Sequence, residues 1–339
     1  MLKHNISRED MRDAFIITAD RKGVLPLVIE KDFWITWCLE RLFSLPLSVG
    51  MVFKGGTSLS KGYNLINRLS EDCDITLNRA NLGFVGDKDP LLAPSRKKRD
   101  KLLDELKHVC TDFVGTTLRS ALQESIKLEL KDERWGLKLD DNPQSLRFYY
   151  PPVLSENNYD GKDYLPRSIL LEFGVRGDVY PTEDRQLKSY LAEEFEVFNE
   201  ASFLVPCLSP LRTFWEKATL LHAEYYHPQE KPTPIRISRH YYDLTMLYRS
   251  GFSSKAMENT ELLHDVIKNK TLLFPSSWQN YELIWTDHLK LLPAPERLKD
   301  IEKDYALTRE FMLFGGKPSF EDILNDITVL ENQLKDLKR

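Results

Sequence analysis

The chain has 339 residues, of which 42% are hydrophobic and 29% are charged, and its formal net charge is −5. This length predicts about two domains, and the charge excludes a protein that attracts nucleic acid through an overall basic field. The four cysteines form no Cys-x-x-Cys pair, which argues against a zinc site or a disulfide framework and favours a cytoplasmic location. No apolar run approaches the ~20 residues of a membrane span, so no membrane association is expected.

Two helices are predicted at the start of the chain. Ser7 with Asp10 resembles a capping box and predicts the start of the first helix. Pro26 suits the first position of the second helix, which carries an aromatic stripe and is predicted to end near Phe43. The charged triplet Glu30-Lys31-Asp32 interrupts that stripe, and one interpretation of it is a solvated charge cluster.

A strand followed by a glycine turn comes next. The short apolar run Met51–Phe53 breaks at Gly55-Gly56, where the missing Cβ atoms let the backbone approach a ligand closely. Thr57 and Ser58 follow, and residues 59–66 are predicted to form a short helix. A helix start behind a glycine turn offers free N–H groups and a favourable dipole to a phosphate.

Two aspartates follow this turn in Asp72-Cys73-Asp74, just before strand-like residues. Residues two apart in a strand point to the same face, so Asp72 and Asp74 can share one site while Cys73 points to the core. Two carboxylates on one face suit Mg²⁺, which takes few carboxylates plus substrate phosphates. A phosphate cradle with a metal pair predicts phosphoryl or nucleotidyl transfer, although either feature alone is common in ordinary loops.

The densest basic cluster of the chain is Ser95-Arg-Lys-Lys-Arg-Asp-Lys101. Such a run is usually the exposed face of a helix. Here the cations lie at the N-terminal end of a predicted helix, which is the unfavourable end for the dipole. The alternative is therefore that the cluster binds an external anion such as an RNA backbone.

Strands are predicted again over residues 146–150, 168–175 and 195–205. Glu172 is a lone carboxylate in the otherwise apolar second of these strands. A buried carboxylate is costly unless it is paired or bound to a metal. Either Arg176 pairs with Glu172, or Glu172 takes part in a site.

A second domain is predicted to begin at Pro206, which divides the chain into residues 1–205 and 206–339. Helices are predicted over residues 211–226, 236–247, 258–268, 278–291 and 320–337. Lys217 lies at the edge of an apolar stripe, where a snorkelling lysine is the ordinary interpretation. Asp243 lies four residues after Arg239, so a structural salt bridge between them is one explanation of that pair.

The order strand, Gly-Gly-[Thr/Ser], helix, Asp-x-Asp, strand resembles the signature of the nucleotidyltransferase superfamily that includes DNA polymerase β. The strings Phe53-Lys-Gly-Gly-Thr-Ser-Leu-Ser-Lys-Gly62 and Arg68-Leu-Ser-Glu-Asp-Cys-Asp74 resemble one branch of it. This branch is the AbiEii/AbiGii toxin family, the nucleotidyltransferase halves of type IV toxin–antitoxin systems. Residues 214–221 and 236–247 are similar to its third and fourth motifs. The implied fold class is α+β, with a polymerase β-like domain of mixed sheet and helices followed by a mostly helical domain.

The resemblance also implies roles for matching residues. A divalent metal, Mg²⁺ or Mn²⁺, would lie on Asp72 and Asp74, with Glu172 as third ligand and Asp178 as the less favoured alternative. A nucleoside triphosphate would be held by Lys54, Gly55, Gly56, Thr57, Ser58 and Lys217. Asp243 would act as a base on the acceptor hydroxyl or would orient a cation. In the resembled family a Glu-Lys-Asp triplet recurs before the glycine turn, so Glu30-Lys31-Asp32 would support the site.

The activity implied by the resemblance is transfer of NMP from NTP to an RNA acceptor, a tRNA 3′ end, in a toxin–antitoxin or abortive-infection system. The implied partner is a cognate antitoxin that acts without stable direct binding. Two other interpretations stay open from the residues. One is a non-catalytic module that binds a nucleotide or a protein partner, and the other is a transferase that acts on a small molecule or a protein.

Overall fold

The computed structural model describes residues 6–70, 72–159, 165–198 and 203–335. By internal packing the chain divides into two compact units. Unit 1 comprises Met1–Tyr63 and Leu69–Cys207, and unit 2 comprises Asn64–Arg68 and Leu208–Arg339. Nothing in the sequence predicts that Asn64–Arg68 packs with the later part of the chain.

Strands dominate the centre of unit 1. They are β1 Met51–Lys54, β2 Asp72–Leu77, β3 Gly136–Leu139, β4 Ser145–Tyr149, β5 Ser168–Gly174, β6 Thr182–Gln186 and β7 Leu204–Leu208. Within the described residues they form one mixed sheet in the order β3-β4-β5-β2-β1-β7-β6. β1 is antiparallel to β2 and parallel to β7, β2 is parallel to β5, and β4 is antiparallel to both β3 and β5.

The register of three neighbouring strands positions the polar residues of the predicted site. Lys54 of β1 is opposite Asp74 of β2, and Asp74 is opposite Glu172 of β5. Registered neighbours on adjacent strands project from the same face of a sheet. The three residues therefore form a row across the sheet.

Both units contain α-helices. Those of unit 1 are α1 Arg8–Lys22, α2 Pro26–Phe43, α3 Gly55–Lys61, α4 Arg96–Phe113, α5 Arg119–Glu129 and α6 Tyr190–Glu194. Trp34 and Trp37 of α2 stack on Tyr150 and Phe148, with ring centroids 5.7 and 5.8 Å apart. These rings are buried, so the aromatic stripe of α2 forms part of the core beside the sheet.

Unit 2 consists of helices α7 Pro210–Tyr225, α8 Ser238–Arg249, α9 Phe252–Met257, α10 Thr260–Leu273, α11 Leu283–Thr286, α12 Leu298–Phe311 and α13 Phe320–Lys335. α7 packs against α8, α9 and α10, and α13 packs against α8. The predicted α+β class, a mixed sheet with helices followed by a helical part, is confirmed. Across the described residues, each helix is too short or too polar to cross a bilayer.

Three predicted elements differ from the structure. The predicted helix 59–66 is wrong, because the helix begins at Gly55 and ends at Lys61, before Asn64 adopts a positive φ of 52°. The predicted strand 195–205 begins only at Leu204, and its residues 199–202 lie outside the described residues. Of the predicted helix 278–291, only Leu283–Thr286 is α-helical.

Candidate active site

The glycine turn brings one carboxylate to the start of α3. Gly55 has φ +75°, a conformation that residues with a Cβ rarely adopt. A Cβ added there would clash with Asp74 Oδ2 and would lie 3.0 Å from its Cγ. Both the backbone conformation and the available space therefore require glycine, because the Asp74 carboxylate occupies the position of a side chain.

The two aspartates share a face of β2, as predicted. Asp72 and Asp74 are partly exposed, whereas Cys73 and Ile75 between and after them are completely buried. Burial raises the pKa of the Cys73 thiol well above its usual value, so this cysteine stays protonated and unreactive. The carboxylates are thus separated from the thiol and directed to the side where Gly55 lies.

The register favours Glu172 over Asp178 as the acid that accompanies them. Glu172 is opposite Asp74 and is partly exposed on the same face. Asp178 instead accepts a hydrogen bond of 3.1 Å from Arg79. Within the described residues, no group of three or more His, Cys, Asp or Glu is arranged to hold a metal ion, so the third ligand stays a prediction.

The hydroxyl groups of Thr57 and Ser58 are used inside the protein. Thr57 Oγ1 donates to the carbonyl oxygen of Asp72 at 2.5 Å, and Ser58 Oγ donates to that of Gly55 at 3.0 Å. Both residues are buried. The first bond ties α3 to the start of β2, and α3 has no side-chain cap at its N-terminus. What this turn presents to an anion is therefore backbone N–H groups rather than hydroxyls.

Lys54 belongs to the same face of the sheet. It is half-buried at the end of β1, opposite Asp74 in the sheet. Its Nζ adjoins the loop after β5, since a Cβ added to Gly177 would lie 3.2 Å from it. A cation is therefore held on the face that carries the two aspartates.

The triplet Glu30-Lys31-Asp32 is buried, so its interpretation as a solvated cluster is wrong. Glu30 accepts hydrogen bonds from the backbone of Val153 at 2.6 Å and from the Tyr159 hydroxyl at 2.5 Å. Lys31 donates to the carbonyl of Pro166 at 2.9 Å. Asp32 is ion-paired with Lys61, the last residue of α3. Each member of the triplet thus binds a different segment of unit 1.

A second charged cluster lies within unit 2 and is centred on Asp243, which is fully buried. Arg68 donates to both its oxygens, Nε at 2.6 Å and the terminal nitrogen at 2.8 Å. Lys217 Nζ lies 2.7 Å from Oδ2. Asp243 is therefore paired with Arg68 and Lys217, whereas the predicted salt bridge with Arg239 stays a prediction.

The charges around Asp243 determine its ionisation. Burial alone would raise its pKa, but the charges of Arg68 and Lys217 outweigh burial and hold that pKa below its usual value. Burial lowers the pKa of Lys217 despite the attraction of Asp243. Burial and the neighbouring cation Lys217 also hold the pKa of His240 well below its usual range. Lys217 Nζ lies 3.4 Å from Nδ1 of this neutral imidazole.

The sequence does not identify Arg68 as the partner of Asp243, or Lys61 as the partner of Asp32. Arg68 is 175 residues from Asp243, and no spacing rule connects such positions. The one indication of their importance in the sequence is that Lys61 lies in the string 53–62 and Arg68 in the string 68–74, both of which resemble the family motif.

The strand, the glycine turn, the short helix and the strand that begins with Asp-x-Asp follow one another in the order expected for the nucleotidyltransferase class of enzymes. The family model "Nucleotidyl transferase AbiEii toxin, Type IV TA system" matches residues 37–326. The chain therefore belongs to the AbiEii family of nucleotidyltransferase toxins of type IV toxin–antitoxin systems.

The solved structure of MenT4, a nucleotidyltransferase toxin from Mycobacterium tuberculosis H37Rv, is similar to this chain. The TM-score is 0.50 and the sequence identity 15%, over 98% of this chain and 91% of MenT4. At this identity the similarity establishes the fold alone. No curated protein matches the sequence significantly.

Proposed function

We propose that the chain transfers NMP from an NTP to an RNA acceptor, and that this acceptor is a tRNA. The observation that supports this most strongly is the contact of the Asp74 carboxylate with Gly55, at the uncapped start of α3. An anion-binding turn and a metal-binding carboxylate are the two parts that phosphoryl transfer requires, and the adjoining Gly55 and Asp74 would supply them. Residues 1–205 would carry this chemistry.

The donor set fits a divalent metal. Asp72 and Asp74 provide hard oxygen ligands on one face, and a small number of carboxylates is what Mg²⁺ or Mn²⁺ needs when substrate phosphates complete its coordination. A bound cation would neutralise the charge of the triphosphate and would stabilise the leaving pyrophosphate. Glu172, opposite Asp74 in register, is the proposed third ligand.

The chain's own groups would position the triphosphate. Backbone N–H groups of Gly55, Gly56 and Thr57 would donate to phosphate oxygens, and Lys54 would balance their charge. The acceptor oxygen would form a bond to the α-phosphorus while the bond between the α-phosphorus and pyrophosphate breaks. The proton of the acceptor hydroxyl would pass to solvent. Preorganised donors of this kind supply electrostatic stabilisation without reorganisation during the reaction.

For Asp243 we favour the orienting role over that of a base. A base must accept a proton, but both oxygens of this buried carboxylate already accept charged hydrogen bonds from Arg68 and Lys217. Its lowered pKa opposes protonation further. Asp243 would therefore fix the ammonium of Lys217, whose predicted role is phosphate binding.

The RNA acceptor is supported by the basic start of α4. Its cluster is exposed, with side-chain exposures of 81% at Arg96 and 71% at Lys101. The nearest carboxylates, those of Asp100 and Glu105, are 3.7 and 3.8 Å from these cations, which leaves long and weak pairs. We also propose that the cognate antitoxin acts without binding stably to this chain. The protein itself is proposed to be cytoplasmic.

The test is incubation with each radiolabelled NTP, Mg²⁺ and total tRNA, for the wild type and for Asp72→Ala and Asp74→Ala. We expect label on tRNA with the wild type only. Label that persists in both variants would show that these carboxylates are not the metal site. Calorimetric NTP binding without product from any acceptor would instead support a non-catalytic module.

A further inference from the structure

A buried ion pair joins helix α2 to the end of helix α3. Asp32 of α2 and Lys61, the last residue of α3, have side-chain exposures of only 3% and 5%. They lie 29 positions apart in the sequence but are in direct contact. The pair thus connects the aromatic core helix to the helix that begins at Gly55.

The remaining hydrogen-bonding capacity of both ions is directed at one segment, the start of α6. Asp32 Oδ2 accepts from the backbone N–H of Tyr190 at 2.7 Å. Lys61 Nζ donates to the carbonyl of Lys188 at 3.1 Å and lies 3.8 Å from the ring centroid of Tyr190. Contacts on several sides leave the ammonium group little freedom to move.

Such a pair is a weak source of stability, since desolvation of two ions offsets most of their attraction. Its effect on geometry is larger here, because α3 has only seven residues and a helix this short is not stable alone. The position of α3 must therefore be set by tertiary contacts. Near its start it is held by the Thr57 bond to the Asp72 carbonyl, and at its end by Asp32.

We infer that Asp32 and Lys61 are positioning residues for NMP transfer. Their ion pair holds α3 so that its first turn stays against the Asp74 carboxylate, in the geometry that receives the triphosphate. A rotation of α3 about its Thr57 contact would move Gly55 away from Asp74. This inference rests on the proposed function, because it takes the turn at Gly55 as the triphosphate site.

Asp32→Asn tests this with a matched control in the same triplet, Glu30→Gln. Both substitutions remove a buried carboxylate charge from α2, but Glu30 binds Val153 and Tyr159 rather than α3. We expect both variants to lose melting temperature. Only Asp32→Asn should raise KM for NTP or lower kcat by tenfold or more, at a temperature well below both melting points. Equal losses in the two variants would overturn the inference.

The double variant Asp32→Asn/Lys61→Met separates position from stability. Lys61→Met alone leaves an uncompensated buried carboxylate, so its melting temperature should fall most, and the double variant should recover part of that loss. We expect transfer to stay low in the double variant despite this recovery. Transfer that returns together with the melting temperature would show a merely structural role.

Hydrogen–deuterium exchange of the free protein gives a readout independent of activity. In Asp32→Asn the amides of residues 58–62 should exchange at least tenfold faster than in the wild type, whereas Glu30→Gln should leave them unchanged. Unchanged exchange in Asp32→Asn would overturn the inference. If the wild type transfers no label, the proposed function fails, while this exchange experiment still decides whether the pair holds α3.

Discussion

Because Gly55 has no Cβ atom, its backbone can lie in contact with the Asp74 carboxylate. Gly55→Ala would place a methyl group against Asp74 in a backbone conformation of φ +75° that disfavours alanine. We expect a loss of about 1–3 kcal/mol in stability from the strain and near-complete loss of NMP transfer from displacement of Asp74. Urea unfolding and the labelling assay measure the two effects.

Gly23→Ala is the control for backbone strain. Gly23 also has a positive φ, 63°, but a Cβ there meets no atom within 4 Å. It ends α1 in the left-handed conformation. This variant should lose about 1 kcal/mol and keep its transfer rate. A Gly55→Ala enzyme as active as Gly23→Ala would contradict the claim that Asp74 needs this space.

His240 makes stability depend on pH in a defined direction. Its folded pKa is lowered, so between that value and the ordinary value of about 6.5 the unfolded chain binds a proton that the native chain does not. Stability should therefore fall as pH drops below about 6.5, by up to about 1.4 kcal/mol per pH unit from this residue. Urea unfolding at pH 7.5, 6.5 and 5.5 measures the slope.

In His240→Gln this contribution disappears, so the variant should lose less stability than the wild type on acidification. His108→Gln, at an exposed position on α4, serves as the comparison and should follow the wild type. Identical slopes for His240→Gln and the wild type would refute the burial of a neutral imidazole beside Lys217.

At the scale of elements, the basic start of α4 should affect RNA binding alone. Replacing the exposed Lys97, Lys98 and Lys101 by Gln removes three positive charges. We expect KM for tRNA to rise at physiological salt. The slope of the logarithm of the tRNA association constant against the logarithm of the salt concentration should become less steep by up to about 2. KM for NTP should stay unchanged. Steady-state kinetics at several salt concentrations provide the measurement.

The matched control replaces Lys299, Lys303 and Lys317, three exposed lysines of unit 2, by Gln. It changes net charge equally, so a purely global electrostatic effect would appear in both triple variants. Equal weakening of tRNA binding by the two sets would contradict a local RNA-binding role for α4.

Local patterns predicted α2 and the strand that carries the two aspartates, but they placed α3 over residues 59–66 instead of Gly55–Lys61 and did not reveal long-range partners. The span of α2 and the shared face of Asp72 and Asp74 follow from proline position and strand alternation. The burial of Asp32 does not, because charged triplets on helices are usually solvated and its partner Lys61 becomes a neighbour only on folding. The same holds for Arg68, whose contact with Asp243 spans 175 residues.

For the whole molecule, membership in a toxin family predicts an effect on growth. Induced expression of the wild type in bacteria should slow growth, and Asp74→Ala at equal protein level should not. Immunoblotting verifies equal levels. A wild-type chain that leaves growth unchanged would remove the toxin role for that host, while NMP transfer in vitro would remain a separate question.

The proposed catalytic site is tested most directly by the initial rate of NMP transfer of Asp74→Asn, compared with the rates of the wild type and of Asp87→Asn. Asn preserves the size of the side chain but weakens its capacity to bind a divalent cation. Asp87, an exposed aspartate of unit 1, controls for the loss of one negative charge. We expect a decrease of at least a hundredfold for Asp74→Asn and none for Asp87→Asn, with wild-type folding in both. Transfer by Asp74→Asn at the wild-type rate would contradict the claim that this carboxylate and the glycine turn form the catalytic site.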